Sequence, residues 1–281
     1  MGFLNESGLF PASDLEAICW FYRMHGYVLV RGLLTPDLLS RMERECLDLQ
    51  RKASAGLLPD RHLSRTFPSE LDVRANHVWY ISELSEAVHT AATSQSLRTI
   101  MKSLLGPDCW PGFLGVGGRG VKYQDAHPGR TSLYSRIGWH TDWQAAPSLD
   151  IYPKAAFTFH LDATSPQNGF LRVVPGSHQW ATPVPHTNIN DTPIPQSARL
   201  SGGYTNTPPP FPMPLGFEKV RGEVAAYAEA GDTIIHDGFL WHAAARATDD
   251  DARRRHIRGS YFSGSIPDLQ AAAESIKTAA Y

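Results

Sequence analysis

The segment Gly231-Asp232-Thr233-Ile234-Ile235-His236-Asp237-Gly238-Phe239-Leu240-Trp241-His242 carries the texture that decides the fold. A Gly-Asp turn feeds a β-branched apolar run, a second turn follows, and then a His. Short apolar runs bounded by turn residues read as strands. The same texture recurs from about residue 110, at 119–125, 136–143, 155–161, 170–174, 224–227 and 256–262. Many short strands with turn signals and no fixed repeat point to a sandwich or barrel.

The N-terminal part reads differently. Residues 14–52 look helical with one break. Ser13 or Asp14 can cap a helix carrying Leu15, Ile18, Cys19 and Phe21, which His25-Gly26 ends. Tyr27 to Gly32 is a short strand. Thr35-Pro36-Asp37 opens a second helix with Thr35 as cap, and Ser94 to Leu105 reads as another. Residues 183–214 carry nine prolines and no periodicity, which suits a lid or substrate loop. The expected organisation is one domain over 1–281. Its helical part runs to about 108, and its barrel core covers about 109–265.

The chain has 281 residues, 42% hydrophobic and 19% charged, with a formal net charge of −2. That balance fits a globular protein and argues against a nucleic-acid partner. No apolar run is long enough to span a membrane. Cys19, Cys46 and Cys109 form neither a disulfide framework nor a CxxC site, so the expectation is a reducing, cytoplasmic compartment. Gly115-Val116-Gly117-Gly118-Arg119-Gly120 matches GxGxxG, but a strand-like run follows it instead of a helix, so it reads as a turn.

The strongest chemical signal is Trp139-His140-Thr141-Asp142-Trp143. On a strand, residues two apart share a face, so His140 and Asp142 can offer one nitrogen and one oxygen to a single metal. A second His completes the two-His-one-carboxylate triad of non-heme iron oxygenases, with three positions open. His242 and His236 compete for that place. Downstream, Arg253-Arg254-Arg255-His256-Ile257-Arg258 opens a last strand. An iron enzyme using 2-oxoglutarate wants such a guanidinium for the keto acid's far carboxylate.

These features together resemble the phytanoyl-CoA dioxygenase family of Fe(II)/2-oxoglutarate oxygenases. The likeness covers most of the chain. It includes His25 to Gly32, His140-Thr141-Asp142, the segment from Asn168 to Pro175-Gly176-Ser177-His178, and the Gly-Asp strand running to His242. The resemblance implies a mainly β fold with flanking α-helices, a double-stranded β-helix of the jelly-roll, cupin-like kind. It implies Fe(II) on His140, Asp142 and His242, with 2-oxoglutarate and O2 as co-substrates. It favours His242 over His236, because the family's ligand follows the Gly-Asp turn by about ten positions. It places the keto-acid arginine at Arg254 or Arg253, with Arg254 favoured because it precedes an aliphatic residue by three. His256 and Arg258 would then share its face.

One departure is clear. The family commonly has Ser two residues after the second His, where it helps hold 2-oxoglutarate; here the residue is Ala244. Thr158 or Tyr123 could stand in, and Lys122, Tyr123 and Gln124 lie where similar enzymes place co-substrate or substrate contacts. The carboxylate at Asp142 favours oxygenation, since halogenating relatives carry a small residue there. The expected activity is hydroxylation of an aliphatic C–H of a small molecule in specialised biosynthesis. Desaturation, epoxidation or cyclisation would use the same residues. The reading from another class is a metal-binding barrel acting as hydrolase, isomerase or binding module. His178 reads as a structural turn residue, and Trp139 and Trp143 as core.

Overall fold

The structure is a computed structural model that describes residues 7–63, 77–112, 121–126, 138–142, 154–180 and 218–263. The Pro-rich stretch 183–214, Trp143 and the expected strand starts at 119 and 136 lie outside the described residues. The chain enters through β1 (Leu9–Pro11), α1 (Leu15–His25), β2 (Tyr27–Arg31) and α2 (Pro36–Ser54). It continues through β3 (His77–Val78), α3 (Glu86–Ala92), α4 (Gln95–Leu105) and β4 (Trp110–Pro111). The caps at Asp14 and Thr35 follow the sequence reading, and Ser94, read as the first helical residue, is a third cap. Asp14 accepts from Ala17 N–H, Thr35 from Leu38 N–H and Ser94 from Leu97 N–H. Gly26 closes α1 at φ 78°, a left-handed conformation suited to glycine. The short α3 escaped the sequence reading. Seven residues carry too little periodicity, and the helix leans on tertiary contacts: Glu45 of α2 accepts from Ser85 Oγ and Ala87 N–H.

The remaining strands are β5 (Lys122–Ala126), β6 (Lys154–His160), β7 (Leu171–Val173), β8 (Val224–Ala226), β9 (Thr233–Asp237), β10 (His242–Ala244) and β11 (Arg254–Phe262). The larger sheet runs β1-β2-β9-β6-β11-β5-β3, with β4 also against β11; the smaller runs β10-β7-β8. This is the jelly-roll architecture with helices on one side. Among the described residues no helix is long and apolar enough to cross a membrane.

Strand alternation sets the two faces of the larger sheet. Phe157, Phe159, Ile235, Ile257 and Tyr123 point one way, into a core with Ile18, Met42 and Ile100 of the helices. Thr158, His160, Ile234, His236, His256 and Arg258 point the other way, into a cavity. The apolar half needs only packing; the polar half is available for chemistry. The Asp232 of the Gly-Asp turn is structural. Its carboxylate accepts from Arg31 Nε and Nη2, each at 2.8 Å, and from Glu229 N–H, clamping β2 to the start of β9.

Gly259 marks where the core is tightest. A Cβ there would sit 2.3 Å from Phe157 Cζ on the neighbouring strand. Phe157 is fully buried against Phe159 and Tyr261 and cannot swing away. Gly259→Ala is expected to cost about 1–3 kcal/mol, read as a lower denaturation midpoint with unchanged cofactor stoichiometry.

Candidate metal centre

His140 and His242 sit at the seam between the two sheets. Their backbones exchange N–H···O bonds of 3.0 Å in a single bridge, which brings the two side chains together. The sequence reading put His140 and Asp142 on one regular strand. The bridge at His140 is instead isolated among the described residues, and Asp142, two residues on, already has helical backbone. The ligating atoms of His140, Asp142 and His242 nevertheless lie within 4.8 Å of one another, all on buried residues.

The donor set fits a metal. His140 Nδ1 donates to Gly138 O at 2.8 Å, and His242 Nδ1 donates to Leu240 O at 2.9 Å. A carbonyl can only accept, so both Nδ1 atoms carry the proton and both Nε2 atoms present a lone pair. His242 Nε2 is buried, hydrogen-bonds to nothing among the described residues, and lies 3.6 Å from Asp142 Oδ1. Burial, with His140 and His236 nearby, holds the His242 ring well below its usual pKa, in the neutral form that ligates. His236 stands next to the triad and outside it. Its Nε2 is 3.3 Å from Asp142 Oδ2 and 3.3 Å from Arg258 Nη2. Arg258 also donates to Asp142 Oδ1.

The Pro175-Gly176-Ser177-His178 turn positions this ligand from behind. Ser177 Oγ accepts from Trp241 N–H, one residue before His242. Gly176 N–H bonds His25 O and Gln179 Nε2 bonds Arg23 O, tying the turn to the end of α1. His178 Nε2 lies 3.2 Å from Arg23 O, far from the triad in role. Trp139 is fully buried, and its indole N–H bonds Glu218 O.

A cavity of about 80 Å3 opens from the triad along the larger sheet. Arg254, Thr158 and Lys122 line it. Arg254 is buried, and among the described residues its guanidinium has no ion pair and its Nη1 no hydrogen-bond partner. Burial pushes its pKa down to about 10, so the guanidinium remains charged at neutral pH. Two of the residues expected at the site point elsewhere. Arg253 is half-exposed, on the opposite face, with Nε 3.0 Å from Asp125 Oδ1. Arg255 also faces away, forking onto Asp162 and reaching Glu43. Tyr123 is buried on the helix side of β5 and does not line the cavity; its one-residue offset from Lys122 and Gln124 turns it over. His160 is a cavity residue that the sequence reading left without a role, and His236, the candidate it set aside for the third ligand, lines the cavity too. Alternation from Thr158 and Ile234 was the signal available for both.

Asp237, after His236, is a buried carboxyl that accepts from Phe239 N–H at 2.8 Å. Burial pushes it up to about 6, against the pull of the Phe239 N–H and the Tyr22 hydroxyl. A raised carboxyl pKa favours the folded state while protonated, and that contribution is lost as pH rises from about 4 through about 6. Asp237→Asn is expected to remove a decline of about 2 kcal/mol over that window, read from denaturation curves of both proteins at pH 4, 5 and 6.5.

The sequence model of the family described as phytanoyl-CoA dioxygenase (PhyH) matches residues 22–255. An ectoine dioxygenase of Nocardia farcinica is 26% identical over 179 residues, 57% of this chain and 52% of that protein. The chain thus matches about half the length of that curated relative. Among solved structures, EctD from S. alaskensis with 2-oxoglutarate and 5-hydroxyectoine superposes with a TM-score of 0.60 at 16% identity, covering 93% of this chain and 79% of that one. The α-ketoglutarate-dependent epimerase SnoN from nogalamycin biosynthesis gives 0.59 at 18%, covering 89% and 81%. At such identities the structural likeness shows the fold. The match of the family model over most of the chain, on a jelly roll that gathers His140, Asp142 and His242, shows more: the chain belongs to the phytanoyl-CoA dioxygenase family, whose members use Fe(II) with 2-oxoglutarate and O2.

Proposed function

We propose that the chain is a single-domain oxygenase that hydroxylates an aliphatic C–H of a small molecule, in the biosynthesis of a specialised metabolite. The observation that carries this reading is Arg254. A buried cation without a partner among the described residues lines the cavity that the triad opens into. Such a group calls for an anionic ligand. A keto acid that chelates the metal with one end and presents a carboxylate with the other meets both demands.

In this reading His140, Asp142 and His242 hold Fe(II), which with bound 2-oxoglutarate supplies oxygen activation and hydrogen abstraction. The protein supplies position and dryness. The Gly138 and Leu240 carbonyls fix the two imidazoles. Arg258 holds Asp142 by one oxygen. Arg254 takes the far carboxylate. Lys122, Gln124 and Arg258 offer polar contacts to substrate, while Phe170, Leu171 and Ile234 line the wall with apolar surface. Which bond is broken, and whether the product is an alcohol or a ring, depends on how these walls place the substrate.

The test is anaerobic titration with Fe(II) and then 2-oxoglutarate. A weak visible charge-transfer band that needs both is expected, followed by succinate release in air with candidate substrates. Metal-loaded protein that gives no band would overturn the reading and favour a hydrolase or binding barrel.

A further inference from the structure

We propose that His160, with His256 beside it, takes the place of the hydroxyl missing at Ala244 and donates to the far carboxylate of 2-oxoglutarate next to Arg254. This rests on the function proposed above. Ala244 lies two residues after His242 on β10 and lines the cavity, but its methyl group offers no hydrogen bond. Of the residues expected to stand in, Tyr123 faces the helical core. Thr158 faces the cavity but pairs in register with Arg258, the arginine that touches Asp142, and so belongs to the metal end. His160 is two residues further along the same face, paired with His256, toward Arg254.

This end of the cavity is a cluster of unsatisfied polar groups. His160 is 4% exposed, and neither ring nitrogen has a hydrogen-bond partner among the described residues. The same holds for His256 Nδ1 and Arg254 Nη1. The two imidazoles lie 6.3 Å apart between centroids. Buried polar groups are nearly always hydrogen-bonded, so three orphaned side chains in one place point to a ligand rich in acceptors. A carboxylate accepts up to about four hydrogen bonds. A neutral imidazole keeps one N–H to give. Burial first, then the Arg254 charge, pushes His160 down to about 3 and holds His256 well below its usual range. The cluster therefore presents one cation and two neutral donors, which suits a single carboxylate.

The experiment measures equilibrium binding of keto acids to Mn(II)-loaded protein by calorimetry, with no turnover. The probes are 2-oxoglutarate and 2-oxobutanoate, which keeps the chelating end and lacks the far carboxylate. His160→Ala is expected to weaken 2-oxoglutarate at least about tenfold and to leave 2-oxobutanoate unchanged. His160→Gln, which keeps a donor, retains most of the affinity and guards against a folding defect. Adding Ala244→Ser to His160→Ala restores binding by returning the family's hydroxyl. Equal weakening of both keto acids, or 2-oxoglutarate affinity within threefold of the parent, overturns the inference while the function stands. A parent protein that binds no 2-oxoglutarate overturns the function itself, and the inference with it.

Discussion

His242→Ala is expected to lose Fe(II) binding, with affinity falling by more than about 100-fold, since even outer partners of metal ligands are worth 10–100-fold. The argument is geometric. Among the described residues His242 supplies one of three clustered donors, from a neutral ring whose Nδ1 is already committed to Leu240 O. Its Nε2 has no hydrogen-bond partner among the described residues. His236→Ala is the informative contrast. That ring touches Asp142 and Arg258 but stands outside the cluster, so its removal is expected to weaken metal binding as an outer partner does, by about 10–100-fold and less than the loss of a ligand. Both variants are compared by anaerobic Fe(II) or Co(II) titration, with far-UV circular dichroism confirming the fold. Retained binding in His242→Ala with loss in His236→Ala would reassign the third ligand.

That contrast also marks how far the sequence could be read. His236 and His242 lie on one Gly-Asp run, six residues apart, and periodicity alone left both open. The turn at Gly238-Phe239 separates them: His236 lies within β9 of the larger sheet, while His242 starts β10 in the smaller one, where the bridge to His140 forms. A sheet change is a tertiary event with no local signature. The same limit applies to the three consecutive arginines. Strand alternation guarantees that Arg254 faces opposite to Arg253 and Arg255, but the phase is set by pairing with β5 and β6, which sequence does not display. Strands β2, β6, β9 and β11 and the capped helices were legible because their causes are local, β-branched runs and cap side chains; the His-x-Asp pair was legible as a ligand set, while the regular strand expected beneath it was not found. The orphaned His160 was not, because being unsatisfied is a property of surroundings.

Arg254→Met is expected to move two quantities in opposite directions. A buried hydrogen-bonded charge pair loses 2–5 kcal/mol or more when one partner is cut, so 2-oxoglutarate affinity should fall at least about 30-fold. The ligand-free protein behaves differently. Its guanidinium is buried without a counter-charge among the described residues, and burial alone lowers its pKa. Replacing an uncompensated buried charge with an apolar side chain of similar volume relieves that desolvation, so the ligand-free variant should gain about 1–3 kcal/mol. A residue kept at a cost to stability is one that a ligand repays. Arg253→Met is the control. Its side chain is 42% exposed and points away from the cavity onto the mostly buried Asp125, so its removal should lower stability by about 1 kcal/mol or more, opposite in sign to Arg254→Met, and leave keto-acid affinity unchanged. Thermal melts with and without 2-oxoglutarate on Mn(II)-loaded protein read both quantities together, because the ligand-induced rise reports affinity and the ligand-free midpoint reports intrinsic stability. Loss of stability with unchanged ligand shift in Arg254→Met would make Arg254 a structural residue, and the anion site would have to be sought elsewhere on the cavity wall.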